Sequence, residues 1–98
     1  MHLKIHKSYR NVISLADKEL IGKKFEEGKF QLNVRENFYS GEELTKEEAV
    51  LILKKQVHED ATFNLVGPKS ISTALEAGII TEEHIGKIDN IPFALTLL

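Results

Sequence analysis

The sequence predicts an α+β fold, in which helices pack on one face of a small antiparallel β-sheet. Two segments, His2 to Lys7 and Phe30 to Arg35, alternate polar and apolar residues with the period of a half-buried strand. Later segments repeat their apolar residues with helical spacing, between clear helix start and stop signals. The chain has 98 residues, and we expect residues 1–98 to form a single compact domain.

Composition narrows the class of protein. The chain is 42% apolar and 29% charged, which is typical of a soluble globular protein. It contains no apolar run of bilayer-spanning length and no signal peptide, so we expect a cytoplasmic protein without membrane contact. The absence of cysteine excludes disulfides, thiolate metal ligands and a cysteine nucleophile.

Charge is distributed unevenly along the chain, although the formal net charge is only −2. Residues 1–35 carry eight basic and four acidic groups, whereas residues 36–60 carry three basic and seven acidic groups. A basic first third suits nucleic acid or an acidic partner. The alternative is that two halves of one small domain attract each other, because formal charge does not show where the groups lie in space.

The first strands are predicted from short-range patterns. His2 to Lys7 and the β-branched Val12 to Leu15 form a hairpin across a turn at residues 8–11. Asp17 can then cap a short helix that Gly22 ends.

The strand Phe30 to Arg35 is expected to join this hairpin and to turn Phe30, Leu32 and Val34 toward the core. Phe38 and Tyr39 follow in a loop. We expect burial of these rings to hold that loop on the core, and the alternative is a stacking platform for a ligand.

A capping box predicts the start of the first long helix. The Thr45 hydroxyl can accept from the Glu48 backbone, and the Glu48 carboxylate can reach back to Thr45. The helix is expected to run to about Val57. Leu51 falls among charged residues on its outer face, which makes it a candidate contact for a partner or a weak homodimer, or simply an exposed leucine.

Two further helices and a strand are predicted in the last third. Pro68 fits the first position of a helix that Gly78 ends in a left-handed conformation. Thr81 is expected to cap a second helix from Glu82 to Ile88. The apolar segment Ile91 to Leu98 is too hydrophobic to lie in water, so we expect it to join the sheet or to seal the core.

The helix start after Gly67 is one candidate binding site. Free N–H groups of the first turn would point outward there, and a lysine and a serine add a charge and a donor, which together form a usable anion site. This run also resembles the second half of a helix–hairpin–helix motif, which grips nucleic-acid phosphates. The alternative is an ordinary helix start. The candidate residues are Asn64, Gly67, Lys69 and Ser70.

A basic sheet face is the second candidate site, and its residues are Lys4, His6, Arg10 and Arg35. Metal binding is not indicated, because His2 and His6 would lie roughly 13 Å apart on one strand. The sequence contains no nucleophile elbow and no phosphate-binding P-loop. We therefore expect no metal, no cofactor and no catalytic residue, and a non-enzymatic role is favoured.

Six segments of the chain form a recognisable set: Lys18-Glu19-Leu20-Ile21-Gly22-Lys23, Phe25-Glu26-Glu27-Gly28, Phe38-Tyr39-Ser40-Gly41-Glu42, Asn64-Leu65-Val66-Gly67, Glu76-Ala77-Gly78-Ile79-Ile80 and Ile91-Pro92. Together they resemble a family of short archaeal proteins known as domain of unknown function 424. Members often carry a His and a Gln after the late proline, where this chain has Phe93 and Leu95. The resemblance implies an archaeal cytoplasmic protein and supplies no activity.

Three hypotheses for function follow from these patterns. The first is a binding module that works with RNA or a ribonucleoprotein in translation or RNA processing, through the basic face and the Gly67 helix start. The second is an adaptor that binds another protein through Leu51 and the apolar C-terminal segment. The third is a small-anion-binding or enzymatic protein with its site at the Gly67 helix start.

Overall fold

The computed structural model describes residues 1–96, which form eight strands, three helices and two 3-10 turns. The strands are β1 (His2–His6), β2 (Val12–Ala16), β3 (Lys24–Glu27), β4 (Phe30–Asn33), β5 (Glu42–Glu43), β6 (Thr62–Val66), β7 (Gly86–Ile88) and β8 (Ile91–Thr96). The helices are α1 (Glu36–Tyr39), α2 (Lys46–His58) and α3 (Pro68–Ala77), and the 3-10 turns are Lys18–Leu20 and Glu82–His84.

Six strands form one sheet in the order β5-β1-β2-β6-β8-β7. All neighbours pair antiparallel except β2 and β6, which run parallel. The α+β class is thus confirmed, but the sheet is larger than the small antiparallel sheet that the sequence predicts. The parallel pair is possible because α2 carries the chain back along the sheet before β6 begins.

The strand predicted at Phe30 to Arg35 does not join the N-terminal hairpin. Its first four residues form β4, which pairs antiparallel with β3 in a separate two-stranded sheet. Gly28 (φ +59°) supports the short turn between them, so the nearest partner in sequence is also the partner in space. Phe30 is 68% exposed rather than inward, while Val34, just after β4, is buried.

Helices α2 and α3 cover one face of the six-stranded sheet, which we call the helix-side face, and this agrees with the prediction. The largest core cluster lies between them and includes Ile13, Leu15, Leu53, Phe63 and Leu65. Burial of these apolar side chains is the main source of stability for a domain of this size.

The opposite face, which we call the hairpin-side face, is covered in part by the β3–β4 hairpin, α1 and the first 3-10 turn. A second core cluster lies beneath them and contains Ala16, Leu20, Val34, Tyr39 and Val66. The sequence predicts that all helices lie on one face. In the structure, the β3–β4 hairpin, α1 and the first 3-10 turn bury part of the other face, and Tyr39 is buried in the core as expected.

The predicted capping box of α2 is present. The Thr45 hydroxyl accepts from the Glu48 backbone N–H at 3.2 Å, and a Glu48 carboxylate oxygen accepts from the Thr45 backbone N–H at 2.9 Å. Hydrogen bonds from the Thr45 backbone and side chain lower the pKa of the Glu48 carboxyl, because they favour its ionised form. The predicted end of α3 is confirmed as well, since Gly78 follows it with φ +75°.

The helix predicted from Glu82 to Ile88 is wrong. Only a single 3-10 turn forms, and β7 follows it. The reason is a tight hairpin between β7 and β8, in which Asp89 (φ 52°) and Asn90 (φ 64°) both adopt positive φ, as a type I′ turn requires. The predicted C-terminal strand is present as β8, between β6 and β7, and the end of that predicted segment, residues 97–98, lies outside the described residues.

Candidate binding surfaces

The first turn of α3 donates hydrogen bonds to a carboxylate from another part of the chain. Asp17 is fully buried, and its carboxylate accepts from the Lys69 N–H (3.0 Å), the Ser70 N–H (2.8 Å) and the Ser70 hydroxyl (2.8 Å). The Ile71 N–H donates to the Gly67 carbonyl at 2.9 Å. The sequence predicts free N–H groups at this helix start, whereas in the structure these groups are bonded.

The parallel pairing explains how Asp17 reaches this position. Ala16 pairs with Val66, so the next residues of the two strands, Asp17 and Gly67, lie side by side. Gly67 has φ +108°, and a Cβ atom there would lie 2.4 Å from the Asp17 carboxyl carbon. Only glycine fits this contact. The sequence predicts Asp17 as the cap of its own short helix, because the helix that it actually contacts begins about fifty residues away.

An external anion at the Gly67 helix start would therefore have to displace Asp17. Gly67 and Ser70 are buried, and the Lys69 side chain is exposed, with its Nζ 3.9 Å from Glu19. Asn64 lies away from this junction, within β6. The structure thus brings three of the four candidate residues together around a position that is already filled, and the anion site stays a prediction.

Lys4 and His6 lie on the hairpin-side face, where they hold α1 against the sheet. The Lys4 Nζ donates to the Asn37 carbonyl at 2.9 Å. The His6 ring stacks on the Phe38 ring with centroids 4.4 Å apart, and its Nε2 lies 2.9 Å from the Phe38 carbonyl. The buried Ser14 hydroxyl donates to that same carbonyl at 2.8 Å.

The other two residues of the predicted basic face lie elsewhere. Arg35 immediately precedes α1, outside the six-stranded sheet, and Arg10 lies in the turn between β1 and β2; both are exposed. Burial raises the pKa of the Tyr39 hydroxyl, and the nearby positive charge of Arg35 offsets part of this rise. Lys4 and His6 thus share a face, whereas Arg10 and Arg35 do not lie on it.

The turn between β1 and β2, residues 7–11, carries the most exposed aromatic side chain of the described residues. Tyr9 has a relative exposure of 108% and lies between the exposed Lys7 and Arg10. Inside the turn, the Ser8 hydroxyl donates to the Arg10 carbonyl at 2.5 Å. The sequence predicts only a plain turn for this segment. An aromatic residue between two cations at a hairpin tip is the signal that could have identified it.

Part of the hairpin-side face is left uncovered, and we call it the open patch: Val12, Thr62, Asn64 and Leu95. Register places Asn64 beside Ser14 on one side and Leu95 on the other, so their side chains project from the same face. Leu95 is 59% exposed, and the other three residues are partly exposed. The sequence does not display this surface, because the surface depends on which strands are neighbours.

Leu51 is 70% exposed on the outer side of α2. Its exposed neighbours along the helix are charged, so it is an isolated apolar side chain rather than part of a contiguous patch.

A cavity of about 330 Å³ lies where the N-terminus meets the starts of α2 and α3. Its lining residues are Met1, Lys46, Pro68, Lys69, Ser72 and Thr73. The Lys46 Nζ donates to the Ser72 hydroxyl at 3.2 Å and lies 3.5 Å from a Glu76 carboxylate oxygen, so its charge is already balanced. Among residues 1–96, no group of three or more His, Asp or Glu residues is arranged to hold a metal ion.

This arrangement, a mixed six-stranded sheet with two helices on one face and a hairpin on the other, is typical of a small α+β protein. Residues 6–97 match the family "Protein of unknown function (DUF424)", and the chain belongs to that family. The resemblance drawn from the sequence is confirmed.

One solved structure is similar over nearly the whole chain: the crystal structure of an uncharacterized conserved protein from Methanopyrus kandleri. It is 26% identical, with a TM-score of 0.86, and the match covers 97% of this chain and 88% of that one. That source is consistent with an archaeal origin. No curated protein matches the chain. No helix within residues 1–96 is both long and apolar enough to cross a membrane.

Proposed function

We propose that this protein is a non-enzymatic, cytoplasmic RNA-binding module and that the β1–β2 turn is its primary contact. The observation that carries the proposal is Tyr9, which is fully exposed among residues 1–96 and lies between two exposed cations in the sequence. Bases of unpaired RNA stack on aromatic side chains, and each stacked base contributes about 1–3 kcal/mol to binding.

Electrostatics supports this position over five other lysines, which are already engaged within the chain. Four lysines, Lys18, Lys24, Lys46 and Lys69, lie within 4 Å of carboxylates, which offset their charge. Lys4 is held by α1. Lys7 makes no ion pair within residues 1–96, so its charge is available to a phosphate without breaking an existing contact.

The test is RNA binding by fluorescence anisotropy with a labelled single-stranded octamer. Tyr9→Ala should weaken binding roughly tenfold, because a stacking ring is lost, whereas Tyr9→Phe should bind like the wild type. Lys7→Glu should weaken binding and reduce the slope of log Kd against log salt by about one, as expected for a lost phosphate contact.

The β3–β4 turn offers matched controls. Phe30 is also an exposed aromatic residue, and Lys29 precedes it. Phe30→Ala and Lys29→Glu should leave the affinity unchanged. Equal effects in both turns would mean that binding follows only the overall charge and hydrophobicity, and the proposal would then fail.

A protein adaptor is the second candidate, favoured by the outer edge of β1. β5 pairs only with His2 and Leu3, so Ile5, which is 37% exposed, has no neighbouring strand on that side. Edges of this kind accept an added strand from a partner or from a second copy. A molar mass that rises with concentration in light scattering, and that Ile5→Lys lowers while Leu51→Lys does not, would support the edge as the weak homodimer contact.

A further inference from the structure

The open patch adjoins the proposed RNA contact on the same sheet. The β1–β2 turn leads directly into Val12, which is both the first residue of β2 and a member of the patch. Thr62 lies beside Val12 in register, and Asn64 and Leu95 lie one step farther along the strands. A strand of RNA that stacks on Tyr9 can therefore continue onto the patch.

The strands around the open patch carry no negative charge on the hairpin-side face. Glu43 of β5 lies opposite His2 at the far edge of that face, away from the open patch. The side chains that β1, β2, β6 and β8 project from the face include no carboxylate. Those side chains are His2, Lys4, His6, Val12, Ser14, Ala16, Thr62, Asn64, Val66, Ile91, Phe93 and Leu95. A phosphate backbone lying on the open patch meets no like charge from these four strands.

Asn64 supplies a recognition group in the middle of this surface. Its side-chain amide makes no hydrogen bond within residues 1–96, although the side chain is partly buried. An amide offers two donors and an acceptor on one plane, which can pair with adjacent donor and acceptor groups on a base edge. Such edges are accessible in single-stranded RNA, whereas in an RNA duplex they lie within grooves.

We propose that the open patch binds a base of single-stranded RNA and that Asn64 is a specificity-determining residue, with Leu95 giving the base an apolar surface to lie on. The inference rests on the proposed RNA binding and names its ligand class. In this proposal, the β1–β2 turn supplies affinity that does not depend on the RNA sequence, and Asn64 supplies the preference among bases.

The test compares octamers of A, C and U by fluorescence anisotropy at several salt concentrations. The wild type should prefer one base by about tenfold, which is the discrimination expected from a two-bond contact. Asn64→Leu, which keeps a similar volume and removes the amide, should bring the three affinities to within about twofold and leave the salt slope unchanged. Asn33→Leu, the same change at an exposed position of β4, is the matched control and should keep the preference.

Each other outcome overturns the inference in a distinguishable way. If Tyr9→Ala weakens binding while Asn64→Leu keeps the base preference, the RNA module stands and the patch is not its reading surface. If the wild type binds no octamer, both proposals fail. If Leu95→Glu changes the molar mass in light scattering rather than RNA binding, a second copy covers the patch. Thermal unfolding of each variant shows whether a lost preference reflects a lost fold.

Discussion

At the scale of single residues, Asp17 is the group on which most of the α3 junction depends. Its carboxylate accepts three hydrogen bonds from the first turn of α3, and Gly67 leaves the space it needs. A negative charge at a helix start is also favoured by the helix dipole. Asp17 and Gly67 thus connect the end of β2 to the start of α3, whose inner face lies in the main core.

Replacing Asp17 should destabilise the protein strongly. Asp17→Ala leaves two N–H groups and a buried hydroxyl without an acceptor, and we expect a loss of about 2–4 kcal/mol in the free energy of unfolding. Asp17→Asn keeps one acceptor oxygen and should lose less. Urea unfolding measures both, with Glu19→Ala, an exposed neighbour, as the control. An Asp17→Ala variant as stable as the control would show that water replaces the carboxylate.

Two glycines with positive φ allow the cost of a steric clash to be measured separately from the cost of backbone strain. Gly67→Ala adds a clash with Asp17 to the strain at φ +108°, whereas Gly78→Ala at φ +75° meets nothing within 4 Å. Gly78→Ala should cost about 1–2 kcal/mol, the usual cost of the left-handed conformation. Gly67→Ala should cost clearly more in the same urea experiment. Equal losses would mean that the Asp17 side chain moves aside freely.

At the scale of elements, the predictions that succeeded depend on contacts within a few residues. The Thr45–Glu48 box and the Pro68 and Gly78 boundaries of α3 are local, so the sequence displays them directly. Two predictions failed although the actual partners are close in the sequence: the short helix expected from Glu82 gives way to the tight β7–β8 hairpin, and β4 pairs with β3 rather than with the N-terminal hairpin. The contact of Asp17 with α3 and the open patch depend on distant strands, and neither has a local sequence pattern.

The capping box predicts a specific pH dependence. Hydrogen bonds from the Thr45 backbone and side chain hold the pKa of Glu48 below its usual 4.5 in the folded protein. The ionised form therefore adds stability above the unfolded-state pKa, and this contribution is lost as the pH falls through the lower folded-state pKa. Glu48→Gln removes the titration.

The stability difference between wild type and Glu48→Gln should shrink when urea unfolding is repeated from pH 6 down to pH 3. Glu47→Gln, at the adjacent exposed position, is the control and should show a smaller change. A difference for Glu48→Gln that stays constant over this range would contradict the assignment.

At the scale of the whole molecule, the sheet separates two cores of unequal size. The helix-side core holds the largest fully buried side chain, Phe63, whereas the hairpin-side core closes only part of its face and leaves the open patch. The main core and the proposed binding surface thus lie on opposite faces of one sheet. Substitutions on the patch should consequently be tolerated far better than substitutions beneath α2 and α3.

A pair of phenylalanines tests this division. Phe63→Ala should lower the free energy of unfolding by about 3–5 kcal/mol, because it removes a fully buried ring and leaves a cavity. Phe30→Ala, at an exposed turn, should change it by less than about 0.5 kcal/mol. Calorimetry or urea unfolding measures both. A small loss at Phe63 would show that the core collapses around the missing ring.

The parallel pairing of β2 with β6 has a consequence for how fast the chain reaches this structure. The paired residues, such as Ser14 and Asn64, are separated by roughly fifty positions, and the hairpin, α1, β5 and α2 all lie between them. Closing so long a loop costs conformational entropy before the strand pairing contributes any stabilisation. We therefore expect the folding rate to be limited by contact order rather than by helix formation. Refolding should therefore take milliseconds to seconds, with β1–β2 formed early and β6 added late.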